Sequence, residues 1–340
     1  MQAIRLHGPG DLRLHQEPEP RPAPDEALVQ VQAVGLCGSD LHWFAESGIG
    51  DARLERPLVL GHEAAGVLAG GQRVAIDPSV PCERCELCLT GHPNLCQQQR
   101  FAGHAAQDGA LCERMAWPER YLLPLPDTFD AVDGVMLEPL GVALHAVDLA
   151  HLRPGMTIGV FGCGPIGLLI LQLARLSGAT QIIATERLAH RLDAARALGA
   201  SLALPAADGR EEAAALLAAT HQRGVDVAFE VAGDDLAVQA ALHSTRPGGK
   251  VMLIGIPADD RTTFNASTAR RKGLTLKLVR RMKHTYPRAI QLVARGMVDV
   301  RSLVTHRFPL AQAPQAFQIA QRREGIKVII QPSSEGVSHE

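Results

Sequence analysis

Between residues 157 and 254 short apolar runs alternate with amphipathic ones, and this alternation limits the possible folds more than any other feature. Residues 157–161, 181–185, 225–231 and 250–254 read as buried strands, while 168–176, 188–198 and 236–244 carry helical periodicity, the second ended by Gly199. Strands apolar on both faces need helices on both sides, which describes a parallel sheet. Between the first strand and the first helix lies Gly162-Cys163-Gly164-Pro165-Ile166-Gly167, a G-x-G-x-x-G turn. The first glycine makes the turn tight, the second lets a pyrophosphate reach the backbone, and the third lets helix and strand pack closely. Helix N-terminal amides then face the phosphate charge. The next strand ends at Glu186, 19 residues past Gly167, where a carboxylate accepts from the adenosine ribose hydroxyls and repels a 2′-phosphate. NAD is therefore expected over NADP, although Arg187 and Arg191 are of the kind that can hold a 2′-phosphate. A solvated glutamate at a strand end is the bland alternative.

The chain has seven cysteines, and Cys82, Cys85, Cys88 and Cys96 fall within one fifteen-residue window. The surrounding PCERCELCLTG is too polar to hold itself together by packing, so a tetrahedral structural zinc is expected there. Two disulfides fit poorly, because no secretory leader is seen and a reducing compartment is expected. An iron–sulfur run would place three residues before its last cysteine and a proline after it, whereas seven intervene here and Gln97 follows.

At about 150 residues per domain, 340 residues suggest two domains. Hydrophobic residues at 46% and charged residues at 21% describe a globular chain, and a net charge of −2 creates no field for nucleic acid or an anionic membrane. No apolar run reaches the ~18 residues of a membrane span. The basic runs at 270–272 and 280–283 are expected to be solvated surface or anion contacts. Residues 1–35 read as hairpin and strand, with 27–34 the clearest strand and further strands at 66–68, 73–76 and 119–125. A helix is expected over 144–152, and the polar end from 332 onward is expected to stay loose.

A second metal site is suggested by Cys37-Gly38-Ser39-Asp40-Leu41-His42, Gly61-His62-Glu63 and Leu137-Glu138-Pro139. One thiolate, one imidazole and one or two carboxylates suit an open zinc site with a position left for substrate. Taken singly each has a bland reading, and spacing alone leaves a catalytic metal and ordinary packing equally open. Cys112 and Cys163 fit no ligand spacing and read as ordinary thiols; His104, His145, His284 and His306 read as structural.

In chain order, CGSDLH at 37–42, GHEAAG at 61–66, the cysteine lobe, EPLGVALHA at 138–146 and GCGPIG at 162–167 resemble the zinc-dependent medium-chain dehydrogenases. EPLGVALHA, TRPGGKVMLIG at 245–255 and LVTHRFPL at 303–310 resemble the sorbitol (polyol) dehydrogenase branch. The resemblance implies an α/β protein: a GroES-like, mostly-β catalytic domain over 1–142 and 276–340, with the zinc lobe near 81–97, and a Rossmann, doubly wound coenzyme domain over 143–275. It implies that Cys37 and His62 bind catalytic zinc, that Glu63 ligates or exchanges onto it, and that Glu138 holds the zinc-bound water and a substrate hydroxyl. Ser39 and His42 fall on a proton relay, and Trp43 and Arg280 on substrate positions. Gly162, Gly164, Ile166, Gly167, Glu186, Arg191, Ile254, Gly255 and Ile256 fall on cofactor contacts. The implied activity is NAD-dependent oxidation of a polyol to a ketose by a homo-oligomer, with a tetramer favoured; a cytoplasmic place is the default expectation where neither leader nor span is read. The sequence departs from the branch at Trp43 and Arg281, where tyrosines are common, and in a short connection over 67–73. A general secondary-alcohol or threonine-type dehydrogenase and a non-catalytic dinucleotide-binding zinc protein are the competing readings.

Overall fold

The computed structural model describes residues 1–332; the rest of the tail expected to stay loose, 333–340, lies outside them. The chain divides into two compact units, Met1–Glu138 with Tyr286–Glu340, and Pro139–Thr285. The second unit extends past the expected limit of 275. Its reason is local: Thr275–Leu278 pairs in parallel with Thr245–Leu253 and forms the last strand of the coenzyme sheet.

That sheet has six strands, all parallel, in the order Leu202–Pro205, Gln181–Glu186, Thr157–Phe161, Val225–Glu230, Thr245–Leu253 and Thr275–Leu278. The chain runs outward from Thr157–Phe161, then returns to pair Val225–Glu230 on that strand's other side. This reversal opens a crevice at the strands' carboxyl ends, beside the glycine turn. Phe161, Ile183, Leu216 and Val238 fill the core beneath. Among the elements that escape the sequence reading are the edge strand Leu202–Pro205 and the helix Gly209–Ala219. The strand is short, and the helix's alanine run gives little contrast between faces; its start is set by Asp208, which accepts from Arg210 N and Glu211 N. Lys272, expected in solvated surface, instead donates to the carbonyls of Leu242, His243 and Thr245 and so closes the end of the helix Asp235–Ser244.

The other unit is built on a seven-stranded sheet around Glu26–Gly35. Its antiparallel partners include Glu63–Leu68, Arg114–Pro118 and Lys327–Gln331, with Arg73–Ile76, Leu122–Pro124 and Val304–Pro309 farther out. Of the run expected as a strand over 119–125, the first part is a single helical turn, Glu119–Tyr121. A smaller sheet carries the hairpin Gln2–Gly8 and Asp11–Gln16, closed by Leu58–Val59. Trp43, Phe44, Trp117 and Phe317 sit in one core.

The helix expected over 144–152 runs from Ala131 to Ala150, straight through Pro139. Proline lacks the N–H for its intrahelical bond, which at sequence level argues for a break. Here Asp130 caps the start by accepting from Val132 N and Asp133 N, and Val135, Met136, Leu137 and Leu140 are fully buried. Burial of four large apolar side chains at about 1.5–3 kcal/mol each outweighs one lost hydrogen bond. Among the described residues no helix is long and apolar enough to cross a membrane.

Candidate active site

The strand Glu26–Gly35 ends two residues before Cys37, and Cys37 then starts the helix Gly38–Glu46. Glu63 is registered opposite Gly35, so the segment Gly61-His62-Glu63 arrives at the same strand end. Cys37, His62 and Glu63 come together with one ligand atom each, all within 4.8 Å of one another. One thiolate, one imidazole and one carboxylate with a position to spare suit a catalytic zinc.

Behind the imidazole lies Asp40, a residue to which the sequence reading assigned no role. Its Oδ1 is 3.4 Å from His62 Nδ1 and accepts from Gly61 N, while Oδ2 accepts from Cys37 N at 3.0 Å. Burial works against its charge, yet His62 and the two amides hold its carboxyl below the usual range. A carboxylate on one ring nitrogen fixes the orientation of the other, which faces a metal. Ser39 Oγ stands 3.5 Å from that second nitrogen, Nε2.

Glu63 has a second partner that the sequence reading also missed. Lys327, on the strand Lys327–Gln331, forms an ion pair with Glu63 Oε2 and donates to Leu36 O at 3.0 Å. Both side chains are 2% exposed. Burial opposes the lysine's charge, but Glu63, Cys37 and Glu138 outweigh it and raise its pKa. The two residues come from strands on either side of Glu26–Gly35, and they meet across Gly35. A Cβ there would lie 2.3 Å from Glu63 Oε2 and 2.9 Å from Lys327 Cε, so only glycine leaves room for the pair. The one sequence signal for Lys327 is a charge opening the apolar run VII.

Glu138 is buried in the helix Ala131–Ala150 but does not join the three-residue cluster. Its field reaches Lys327. Trp43, expected to line a substrate cleft, is 2% exposed and belongs to the core of its unit. An aromatic row links it to the cluster: Trp43 to His104 at 5.6 Å, His104 to Phe101 at 6.3 Å, and Phe101 to His62 at 5.2 Å. Arg280 lies exposed in the coenzyme unit, two residues beyond Thr275–Leu278.

The four lobe cysteines also converge, again with all ligand atoms within 4.8 Å. Cys85 Sγ lies 3.5 Å from Cys88 Sγ and 3.9 Å from Cys96 Sγ, far beyond the ~2.05 Å of a disulfide. Glu83 ties the lobe to the sheet by accepting from Tyr121 Oη at 2.7 Å and pairing with Arg120. Burial pushes the Cys112 and Cys163 thiols up to about 12, which leaves both unreactive.

In the coenzyme unit Gly162 has φ +101°, and a Cβ on Gly167 would lie 2.0 Å from Gly162 O. These are the positions that demand glycine in a phosphate-binding turn. Gly164 starts the helix Pro165–Leu176, and a Cβ on it would come within 3.7 Å of the Arg191 guanidinium. Gly255 touches the loop after Val225–Glu230, where its Cβ would fall 2.1 Å from Gly233 N; Ile254 and Ile256 flank it, with Ile256 on the surface. Ile166 is half-buried in the helix's first turn. Glu186 Oε2 accepts from Cys163 N at 2.9 Å, and Oε1 accepts from Arg187 N and Leu188 N. This carboxylate thus secures the glycine turn, and Oε2 keeps a lone pair for a ribose hydroxyl. The cradle fits a dinucleotide.

Comparison with known proteins agrees with both halves. Residues 23–127 match the alcohol dehydrogenase GroES-like domain, and residues 165–295 match the zinc-binding dehydrogenase family. A sorbitol dehydrogenase of Bacillus subtilis is 35% identical over 347 residues, covering 98% of each chain. Among solved structures, a putative zinc-binding dehydrogenase from Sinorhizobium meliloti bound to NADP aligns with a TM-score of 0.88 at 30% identity, covering 97% of this chain and 99% of that one. The 2R,3R-butanediol dehydrogenase from Bacillus subtilis aligns with a TM-score of 0.87 at 28% identity, covering 98% and 99%. The chain belongs to the zinc-dependent medium-chain dehydrogenase superfamily. Within it the chain falls in the sorbitol dehydrogenase branch and is a zinc oxidoreductase that acts on CH–OH groups with a nicotinamide dinucleotide.

Proposed function

We propose that this enzyme oxidises a secondary hydroxyl of a sugar alcohol to the ketose, with NAD as the hydride acceptor. The observation that carries the reading is the buried Cys37–His62–Glu63 cluster, backed by Asp40 and Lys327. Zinc held there would supply a Lewis acid for the carbinol oxygen, and a bound nicotinamide would supply the hydride acceptor. Cys37 and His62 would hold the ion, and Glu63 would ligate it or exchange onto it. Ser39 accepts the carbinol proton. His42, three residues on and on the same face of Gly38–Glu46, passes it outward through a side chain that is 19% exposed. Glu138 holds a second oxygen of the substrate, Arg280 takes polyol hydroxyls, and Trp43 supports the aromatic wall behind the imidazole. NAD rather than NADP follows from Glu186, and Gly162, Gly164, Ile166, Gly167, Arg191, Ile254, Gly255 and Ile256 hold the rest of the cofactor. A second zinc sits in the cysteine lobe. The enzyme works in the cytoplasm as a homo-tetramer.

Likeness to a butanediol dehydrogenase and the aromatic row beside His62 favour a second reading, a less hydroxylated secondary alcohol. Initial rates of the zinc-loaded protein with sorbitol, xylitol, 2,3-butanediol, 2-butanol and threonine separate the two. The polyol reading expects sorbitol or xylitol with NAD to lead in kcat/KM by tenfold or more. A lead for butanediol, 2-butanol or threonine overturns it.

A further inference from the structure

We propose that Asp234 enforces the choice of NAD by holding Arg187, one of the two arginines of the kind that can hold a 2′-phosphate. The inference rests on the reading that the adenosine ribose meets Glu186. Arg187 directly follows that glutamate, and its own amide donates to Glu186 Oε1 at 2.7 Å, so its backbone is anchored beside the ribose position. Its Nη2 donates instead to Asp234 Oδ2 at 2.8 Å. Asp234 comes from the loop after Val225–Glu230, and Arg187 from the end of Gln181–Glu186. Those strands flank Thr157–Phe161 on opposite sides, so the ion pair reaches across the carboxyl end that carries the glycine turn.

Asp234 is itself fixed. Its Oδ1 caps the helix Asp235–Ser244 by accepting from Leu236 N at 2.8 Å, which leaves Oδ2 aimed at the guanidinium. A 2′-phosphate arriving here meets two carboxylates, Glu186 and Asp234, and an arginine already neutralised by one of them. A 2′-hydroxyl carries no charge and loses nothing by the pairing. An arginine near the ribose carboxylate is the usual means of accommodating a 2′-phosphate. The fold itself does not exclude one, since a relative that aligns at a TM-score of 0.88 is bound to NADP. Discrimination is therefore a local matter of which partner the guanidinium takes.

The side chains of Arg187 and Asp234 are 55% and 32% exposed, so water screens the pair and the effect is modest. Asp234→Asn is the sharpest variant, because asparagine caps a helix about as well as aspartate and only the charge is lost. Dissociation constants for NADH and NADPH, read from protein fluorescence without substrate, give the test. NADPH should bind about fivefold or more tightly to Asp234→Asn, with NADH unchanged within about twofold. Adding Arg187→Leu to that variant should return NADPH to the wild-type value, whereas Arg187→Leu alone should change NADPH binding by less than about twofold. Unaltered NADPH affinity in Asp234→Asn, a gain that survives loss of Arg187, or a large loss in Arg187→Leu alone each overturns the inference. Tighter wild-type binding of NADPH than NADH would instead sink the NAD reading, and it leaves the change on Asp234→Asn to be judged separately.

Discussion

The two metal-binding clusters differ in what surrounds them. The lobe gathers four sulfurs on a short polar segment, three of its cysteines only half-buried, and Glu83 ties it to Arg120 and Tyr121 beside the neighbouring sheet. The Cys37–His62–Glu63 cluster has one sulfur, and Asp40 and Lys327 lie behind its other two members, both nearly out of water. The difference separates two uses of a metal. A closed shell of four thiolates substitutes for a hydrophobic core, whereas an open, mixed set needs the fold already in place to hold each donor.

The largest effect should come from exchanging which cluster is damaged. Cys37→Ala is expected to lower kcat/KM by about 10⁴-fold while leaving the thermal midpoint nearly unchanged, because only the Lewis acid is lost. Cys88→Ser should do the reverse, lowering the midpoint by many degrees with turnover per folded molecule kept within a few-fold. If both variants unfold alike, the contrast is false. Next comes Lys327→Met, which strands the Glu63 charge in the interior and should cost about 3–5 kcal/mol in denaturant unfolding. A loss under about 1 kcal/mol would mean that the pair is hydrated, like a surface bridge.

Asp40→Asn should weaken zinc at the open cluster by about 10–100-fold in a competition titration against a chelator, with the lobe's affinity untouched. Equal weakening at both sites would remove Asp40 from its assigned position behind His62. The smallest effect concerns proton balance. The amides of Arg84 and Cys85 lower the Cys82 thiol to about 6, so above that pH it is a thiolate before metal arrives. In zinc-free protein, iodoacetamide should label Cys82 first, with a rate that rises through pH 6 and levels off by pH 7. A rise centred near the ordinary thiol value of about 8.5 would contradict this.

Much of the coenzyme unit is legible in the sequence because its signals are local. A glycine turn between strand and helix, with a carboxylate 19 residues on, needs no knowledge of distant neighbours. The edge strand Leu202–Pro205 and the last strand Thr275–Leu278 were hidden, since edge strands are short and only half covered. The convergence of Cys37 with His62 is suggested by motif, yet its support is non-local. Lys327 lies 264 positions beyond Glu63 and meets it only because both strands pair with Glu26–Gly35 and Gly35 has no side chain. Asp40 was visible as a letter in CGSDLH, but its task depends on where His62 arrives. The helix Ala131–Ala150 starts well before the 144–152 expected, because the burial of Val135, Met136, Leu137 and Leu140 outweighs the hydrogen bond lost at Pro139.

Counting zinc by mass spectrometry in gel-filtered protein bears most directly on the claim that an open, mixed-donor cluster carries the reaction. Wild type should hold two zinc ions per chain, and Cys37→Ala with His62→Ala should hold one, stay folded and show no alcohol-dependent NADH formation. One ion in the wild type, or two in the folded double variant, would contradict the account.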